Sequence, residues 1–188
     1  MVRKRRRYVL AAAMFVGLVG SSLAVAGKGL GPLHRHDPPN SKEFKAHLNG
    51  YQEVPSVSTT GVGEFRARLV EPEKLHYVFR YAGLSGGNSL FAHVHFAQRS
   101  VNGGVSFFLC GGSTKPTPCP NVQGTVEGDV TPADVIGPTG QGITAGEFAE
   151  IVRAMRAGHS YANIHTTAWP GGEIRGQIND HNQREFDK

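Results

Sequence analysis

The chain has 188 residues with 20 Lys+Arg against 15 Asp+Glu, a formal charge of +5. That length is enough for one domain with its own core. The basic excess does not make it a nucleic-acid binder: the first 26 residues hold five of the basic residues and none of the acidic ones, so the remainder is balanced and lacks the basic patch that phosphate binding needs.

The N-terminus opens on Arg3-Lys4-Arg5-Arg6-Arg7, continues through an apolar stretch from Tyr8 to Val19, and reaches small residues at Ala24-Val25-Ala26. This is the order of a secretory signal peptide, with cleavage expected before Gly27. An uncleaved anchor is the alternative, but the apolar stretch falls short of the roughly 20 residues a spanning helix needs. Arg5-Arg6-Arg7-Tyr8-Val9-Leu10 also has a faint twin-arginine character, so the export route stays open. Residues 27–42 carry Gly, Pro and His without apolar periodicity and read as a disordered leader. Within it, Leu33-His34-Arg35-His36-Asp37 reads as a polar segment or a loose metal-sequestering one.

From Glu43 short alternating runs begin, each bounded by Gly, Pro, Asn or Ser. Strands are predicted near Glu43–Leu48, Gly61–Leu69, Lys74–Tyr81, Leu90–Ala97, Val105–Cys110, Gln123–Gly128, Tyr161–Thr166 and Glu173–Ile178. Leu75, Tyr77, Phe79 and Tyr81 alternate with His76, Val78 and Arg80, the pattern of an antiparallel strand with one buried face. Thr144-Ala145-Gly146-Glu147 fits a capping box with Thr144 as N-cap. Phe148, Ile151, Val152 and Met155 then follow as one helical stripe, and Gly158 supplies the stop. Residues 180–188 form a polar tail. The fold class expected is mainly β: an antiparallel sandwich or Greek-key-like barrel spanning 43–179, with one short helix. Cys110 and Cys119 flank a turn-rich loop and read as a local disulfide, with soft metal ligation as the alternative.

The candidate chemistry lies in the histidines. His93 and His95 in Leu90-Phe91-Ala92-His93-Val94-His95-Phe96 are two apart on a strand and so share a face. On Tyr161-Ala162-Asn163-Ile164-His165-Thr166 the same alternation puts Tyr161, Asn163 and His165 together. Adjacent placement of these strands would give a three-imidazole cluster, a donor set suited to copper and zinc that leaves a coordination position open. The alternative is a pair of solvated histidines and a hydrogen-bonded third. His47 and His76 read as exposed strand positions, and His159 as a turn residue after the helix. No P-loop or dinucleotide fingerprint occurs, and the spacing of Glu53, Glu64 and Glu173 pairs no two carboxylates for acid–base work. Glu173 and Arg175 share a strand face and read first as exposed or half-buried charges that pair across to neighbouring strands. With Tyr161 and Asn163 they are also candidate neighbours of the metal ligands. Trp169 reads either as a lid on the core or as a surface contact.

Four motifs in order resemble the chordin-type (CHRD) domain family. They are Leu48-Asn49-Gly50-Tyr51-Gln52-Glu53-Val54-Pro55, Ala92-His93-Val94-His95, Tyr161-Ala162-Asn163-Ile164-His165-Thr166 and Pro170-Gly171-Gly172-Glu173-Ile174-Arg175-Gly176-Gln177-Ile178. The resemblance runs from about Phe44 to Ile178. It implies an extracytoplasmic β-sandwich-like domain and says little about activity; animal members include a secreted antagonist of growth factors. Its motifs contain His93, His95 and His165, the three that strand geometry selects. The chain departs from the pattern at His47, His76 and His159 and at the Cys110–Cys119 loop. The H-V-H strand also resembles the copper-ligand strand of copper/zinc superoxide dismutases, an analogy at the level of fold. Three functions are therefore expected in order: a secreted or periplasmic metal-binding module that handles or sequesters copper, with zinc second, a copper-dependent superoxide dismutase-like enzyme, and a metal-free module at the cell surface for an extracytoplasmic protein partner.

Overall fold

The structure is a computed structural model, and it describes residues 42–180. The expected signal peptide, the leader up to Ser41 with His34 and His36, and the polar tail beyond Asp180 lie outside the described residues. Eight strands appear, one for each expected from the alternation: β1 (Glu43–Asn49), β2 (Val62–Glu71), β3 (Lys74–Ala82), β4 (Ser89–Phe96), β5 (Gly104–Cys110), β6 (Gly124–Val130), β7 (Ser160–Thr166) and β8 (Ile174–Asp180). They form one antiparallel sheet in the order β5-β4-β7-β8-β1-β2-β3-β6, curled into a nearly closed barrel.

The residues of one parity point inward. Phe44, Ala46, Leu48, Phe65, Leu75, Tyr77, Phe79, Val94, Phe107, Leu109, Ile164, Ile174 and Ile178 fill a single core. Each buried Leu, Ile or Phe contributes about 1.5–3 kcal/mol of apolar transfer. The edge strands β5 and β6 approach each other. There the Tyr77 hydroxyl reaches from β3 to donate to the Leu109 carbonyl on β5 at 2.7 Å. The sulfurs of Cys110 and Cys119 are bonded, with Cα atoms 5.2 Å apart, and fasten the end of β5 to the loop leading to β6.

The helix α1 (Phe148–Arg156) lays Phe148, Ile151, Val152 and Met155 on the core, against β7 and β8. Its start differs from the expected one. The N-cap is Glu147, not Thr144. The intervening Gly146 takes a left-handed φ of 88°, which no helix can include. The Glu147 carboxylate does reach back to the Thr144 N–H, so half of the expected box exists as an isolated turn ahead of the helix. The end is as expected. Gly158 sits at φ 69°, its N–H bonds to the Met155 carbonyl, and the His159 N–H bonds to Ala154, which together make a Schellman motif.

The barrel is asymmetric in what covers it. The outer face of β1, β2 and β3 carries Lys45, Arg66, Arg68 and Arg80, as an alternating strand with one solvated face should. β7 is buried at all seven positions. Ala162 and Ile164 face the core, while Tyr161, Asn163 and His165 lie on the outer face beneath the segments 97–103 and 167–173 and the turn at Glu53.

Candidate metal centre

The covered outer face of β4, β7 and β8 brings the expected histidines together. In the register of the sheet His93 lies opposite Asn163 and His95 opposite Tyr161. His165 stands diagonally across from His93, and the ring centroids of this pair are 4.6 Å apart. Those of His93 and His95 are 4.4 Å apart, with the rings near perpendicular. One ligating nitrogen from each of the three lies within 4.8 Å of the others, and all three residues are buried. Phe91 and Phe108 pack against the His93 ring and form an apolar wall beside it.

Two of the rings are oriented by backbone carbonyls. His95 Nδ1 bonds to Gly103 O and His165 Nδ1 to Pro170 O, each at 2.8 Å. A carbonyl only accepts, so Nδ1 carries the proton and Nε2 keeps its lone pair in the neutral ring. These two Nε2 atoms, and Nδ1 of His93, are buried with no hydrogen-bond partner. Burial, with its neighbours His95 and His165 adding to it, pushes the His93 pKa down to about 2. Burial likewise takes His95 down to about 4 and lowers His165. All three are therefore neutral at pH 7, the state in which imidazole binds a metal.

The remaining expected residues fall into two groups. Tyr161 and Asn163 belong to the centre. The Tyr161 ring stacks on His95 at 4.5 Å with planes 10° apart. The Arg175 guanidinium covers the other face of that ring, 3.3 Å from its centroid. Arg175 is therefore part of the centre too, although not in the half-exposed role expected. It is 1% exposed and donates to Val101 O at 2.7 Å and Asn102 Oδ1 at 3.1 Å, holding the segment that supplies Gly103 O. Glu173 is also fully buried rather than half-exposed. It precedes β8 and accepts from Ser85 N at 2.7 Å, Gly86 N at 3.1 Å and the hydroxyls of Thr59 at 2.5 Å and Thr166 at 2.8 Å. These partners make it a structural tie between loops. Glu173 stands before the first residue of β8, so strand alternation does not govern its side chain, and a single strand carries no information about the loops that bury both residues. Trp169 is half-buried over Gly86, a lid on the 85–88 turn. His47 and His159 are exposed and His76 half-exposed, as expected, and none of them joins the cluster.

Glu53 was not expected here. It is 5% exposed, and its pKa is pushed up to about 7, chiefly by burial, with the Val54 N–H, Arg175 and Asn163 opposing. It lies in the motif Gln52-Glu53-Val54-Pro55, in the bend after β1 and outside any strand, where alternation gives no sign of its burial.

An antiparallel β-barrel with three neutral, buried histidines gathered on one outer face is the class of protein that this fold and site define. A model of the CHRD domain matches residues 44–178, and the chain belongs to the CHRD family. No curated protein and no solved structure matches it.

Proposed function

We propose that this chain is an exported metal-binding module whose His93, His95 and His165 hold a copper ion. The observation that carries the reading is the set of three buried imidazoles with converging, unpartnered nitrogens. A buried polar atom without a partner costs about 1–3 kcal/mol, and a metal ion relieves three such costs together. Carbonyl bonds to the far nitrogen, as at His95 and His165, fix tautomer and ring orientation in metal sites. An all-imidazole set suits copper and zinc. Copper is favoured by the extracytoplasmic reading, to which the disulfide and the basic, apolar N-terminus both contribute. No described helix is long and apolar enough to cross a membrane.

Elemental analysis of the protein purified from its native compartment tests this. One copper per chain is expected, lost in His93→Ala and His95→Ala, with affinity falling by at least about 100-fold. Isothermal titration showing neither copper nor zinc bound tighter than micromolar sinks the reading, and leaves a metal-free module for a protein partner. The three-ligand set also favours a second reading, a superoxide dismutase-like enzyme, since it leaves a coordination position open. Stopped-flow superoxide decay no faster than with free copper excludes that reading alone.

A further inference from the structure

Beside the three imidazoles stands a second set of unpartnered atoms, and these are oxygens. Asn163 Oδ1 and Glu53 Oε1 are buried and accept no hydrogen bond. Asn163 is 2% exposed and is paired in register with His93 on β4 and Arg175 on β8. Its amide lies within interaction reach of His93, His95 and Glu53. The turn at Gly172 roofs both groups. A Cβ at that position would stand 2.3 Å from Glu53 Oε1 and 3.0 Å from Asn163 Nδ2. The same turn presents Pro170 O to His165. One short segment therefore orients a candidate ligand and seals the oxygens beside the cluster.

We propose that Glu53 and Asn163 form an oxygen-lined wall of the metal centre that receives a small hydroxylic ligand of the ion, water or hydroxide first of all. The inference rests on the metal reading above and adds the chemistry of the position that the histidines leave open. Its argument is one of complementary deficits. Three neutral imidazoles satisfy only part of a copper ion's coordination. An amide oxygen and a carboxyl oxygen that accept nothing require donors. A bound water has both a lone pair for the metal and two O–H groups for such acceptors. An aprotic ligand leaves the oxygens as they are. Phe91 and Phe108 offer no acceptor on their side of His93, so the polar ligand is directed toward Asn163 and Glu53. Glu53 here is a positioning residue. It touches the hydroxylic ligand and not the histidines.

The test uses the full mature chain loaded with one Cu(II). Electron spin-echo spectroscopy in D2O is expected to show strong coupling to exchangeable deuterons of a directly bound water, and water-proton relaxation is expected to rise well above that of the metal-free protein. Glu53→Leu and Asn163→Leu are expected to bind copper stoichiometrically while losing half or more of that relaxation enhancement. Glu53→Gln keeps an acceptor oxygen and is expected to retain it. Wild-type protein that binds copper but shows no deuteron coupling overturns the inference without touching the metal reading, and needs no variant to fold. So does an unchanged relaxation enhancement in both leucine variants. Failure of the metal reading has its own signature, the absence of stoichiometric copper at equilibrium dialysis.

Discussion

Arg175 is the residue on which the architecture around the candidate centre turns. Its guanidinium is buried against an aromatic face and the oxygens of the 98–102 segment. A planar fork can serve both at once, and a compact ammonium cannot. Arg175→Ala is expected to cost about 2–4 kcal/mol, because buried acceptors lose a charged donor and the Tyr161 ring loses its cover. Arg175→Lys is expected to recover less than half of that. Urea unfolding of the metal-free protein measures both, and a loss below about 0.5 kcal/mol for Arg175→Ala would show that the stack does not support the fold. Titration makes a second prediction at this scale. His93 and His95 have folded pKa values of about 2 and about 4, below the usual 6.5. Their contribution to stability is full above pH 6.5 and is lost as pH falls toward 4 and below. Glu53 acts in the opposite sense. Its pKa is raised from 4.5 to about 7, so its contribution is full below pH 4.5 and is lost as pH rises through 7. The stability difference between wild type and Glu53→Gln is therefore expected to move against the wild type from pH 4.5 to 7. A difference that stays flat across urea melts at pH 4.5, 5.5 and 7 counts against the burial of that carboxyl. The role of Glu53 was not legible in the sequence, because its partners Asn163 and Gly172 come from segments more than a hundred residues away.

At the scale of elements, the strands were legible and the joints were less so. β3 declares itself because Leu75, Tyr77, Phe79 and Tyr81 alternate without a break. The pairing of β4 with β7, which makes a cluster out of two separate motifs, is long-range and has no local signature. The apolar stripe marks the helix, but its start is not where Thr144 and Glu147 suggest, since they satisfy a spacing rule that the φ of Gly146 overrides. The glycines at the joints differ in a way that can be measured. A side chain at Gly146 meets nothing closer than Pro132 O at 4.0 Å, so Gly146→Ala is charged only the left-handed backbone cost of about 1–2 kcal/mol. Gly172→Ala adds a collision 2.3 Å from a buried carboxyl oxygen. It is expected to cost at least about 1 kcal/mol more and to weaken metal binding, whereas Gly146→Ala leaves binding unchanged. Equal losses in thermal melts of the two variants would contradict the close packing of the 170–173 turn.

For the whole molecule, the barrel is held shut from the core side of the sheet, the face opposite the candidate centre. The Cys110–Cys119 link and the Tyr77 hydroxyl both act where β5 nears β6. A loop this short leads to an expected loss of about 2–3 kcal/mol on replacing both cysteines by serine. The histidines lie on the outer face of β4 and β7, the disulfide on the core side, and the cluster needs no sulfur, so copper affinity of the double variant is expected to stay within about threefold at a temperature where it is folded, read by titration. A larger drop would mean that closure of the barrel and the shape of the cluster are coupled.

β7 lies in the interior of the sheet and is covered above and below. Amides so placed exchange with solvent only when the whole domain opens. A cluster anchored on such a strand has a frame that does not give. The segments 97–103 and 167–173 cover it, and they are the same two that supply the carbonyls to His95 and His165, so a guest reaches it only if they move aside. Entry and exit of a ligand are thus tied to the moment at which those rings lose their orientation, so the path that admits a guest is also the one that slackens the grip on it.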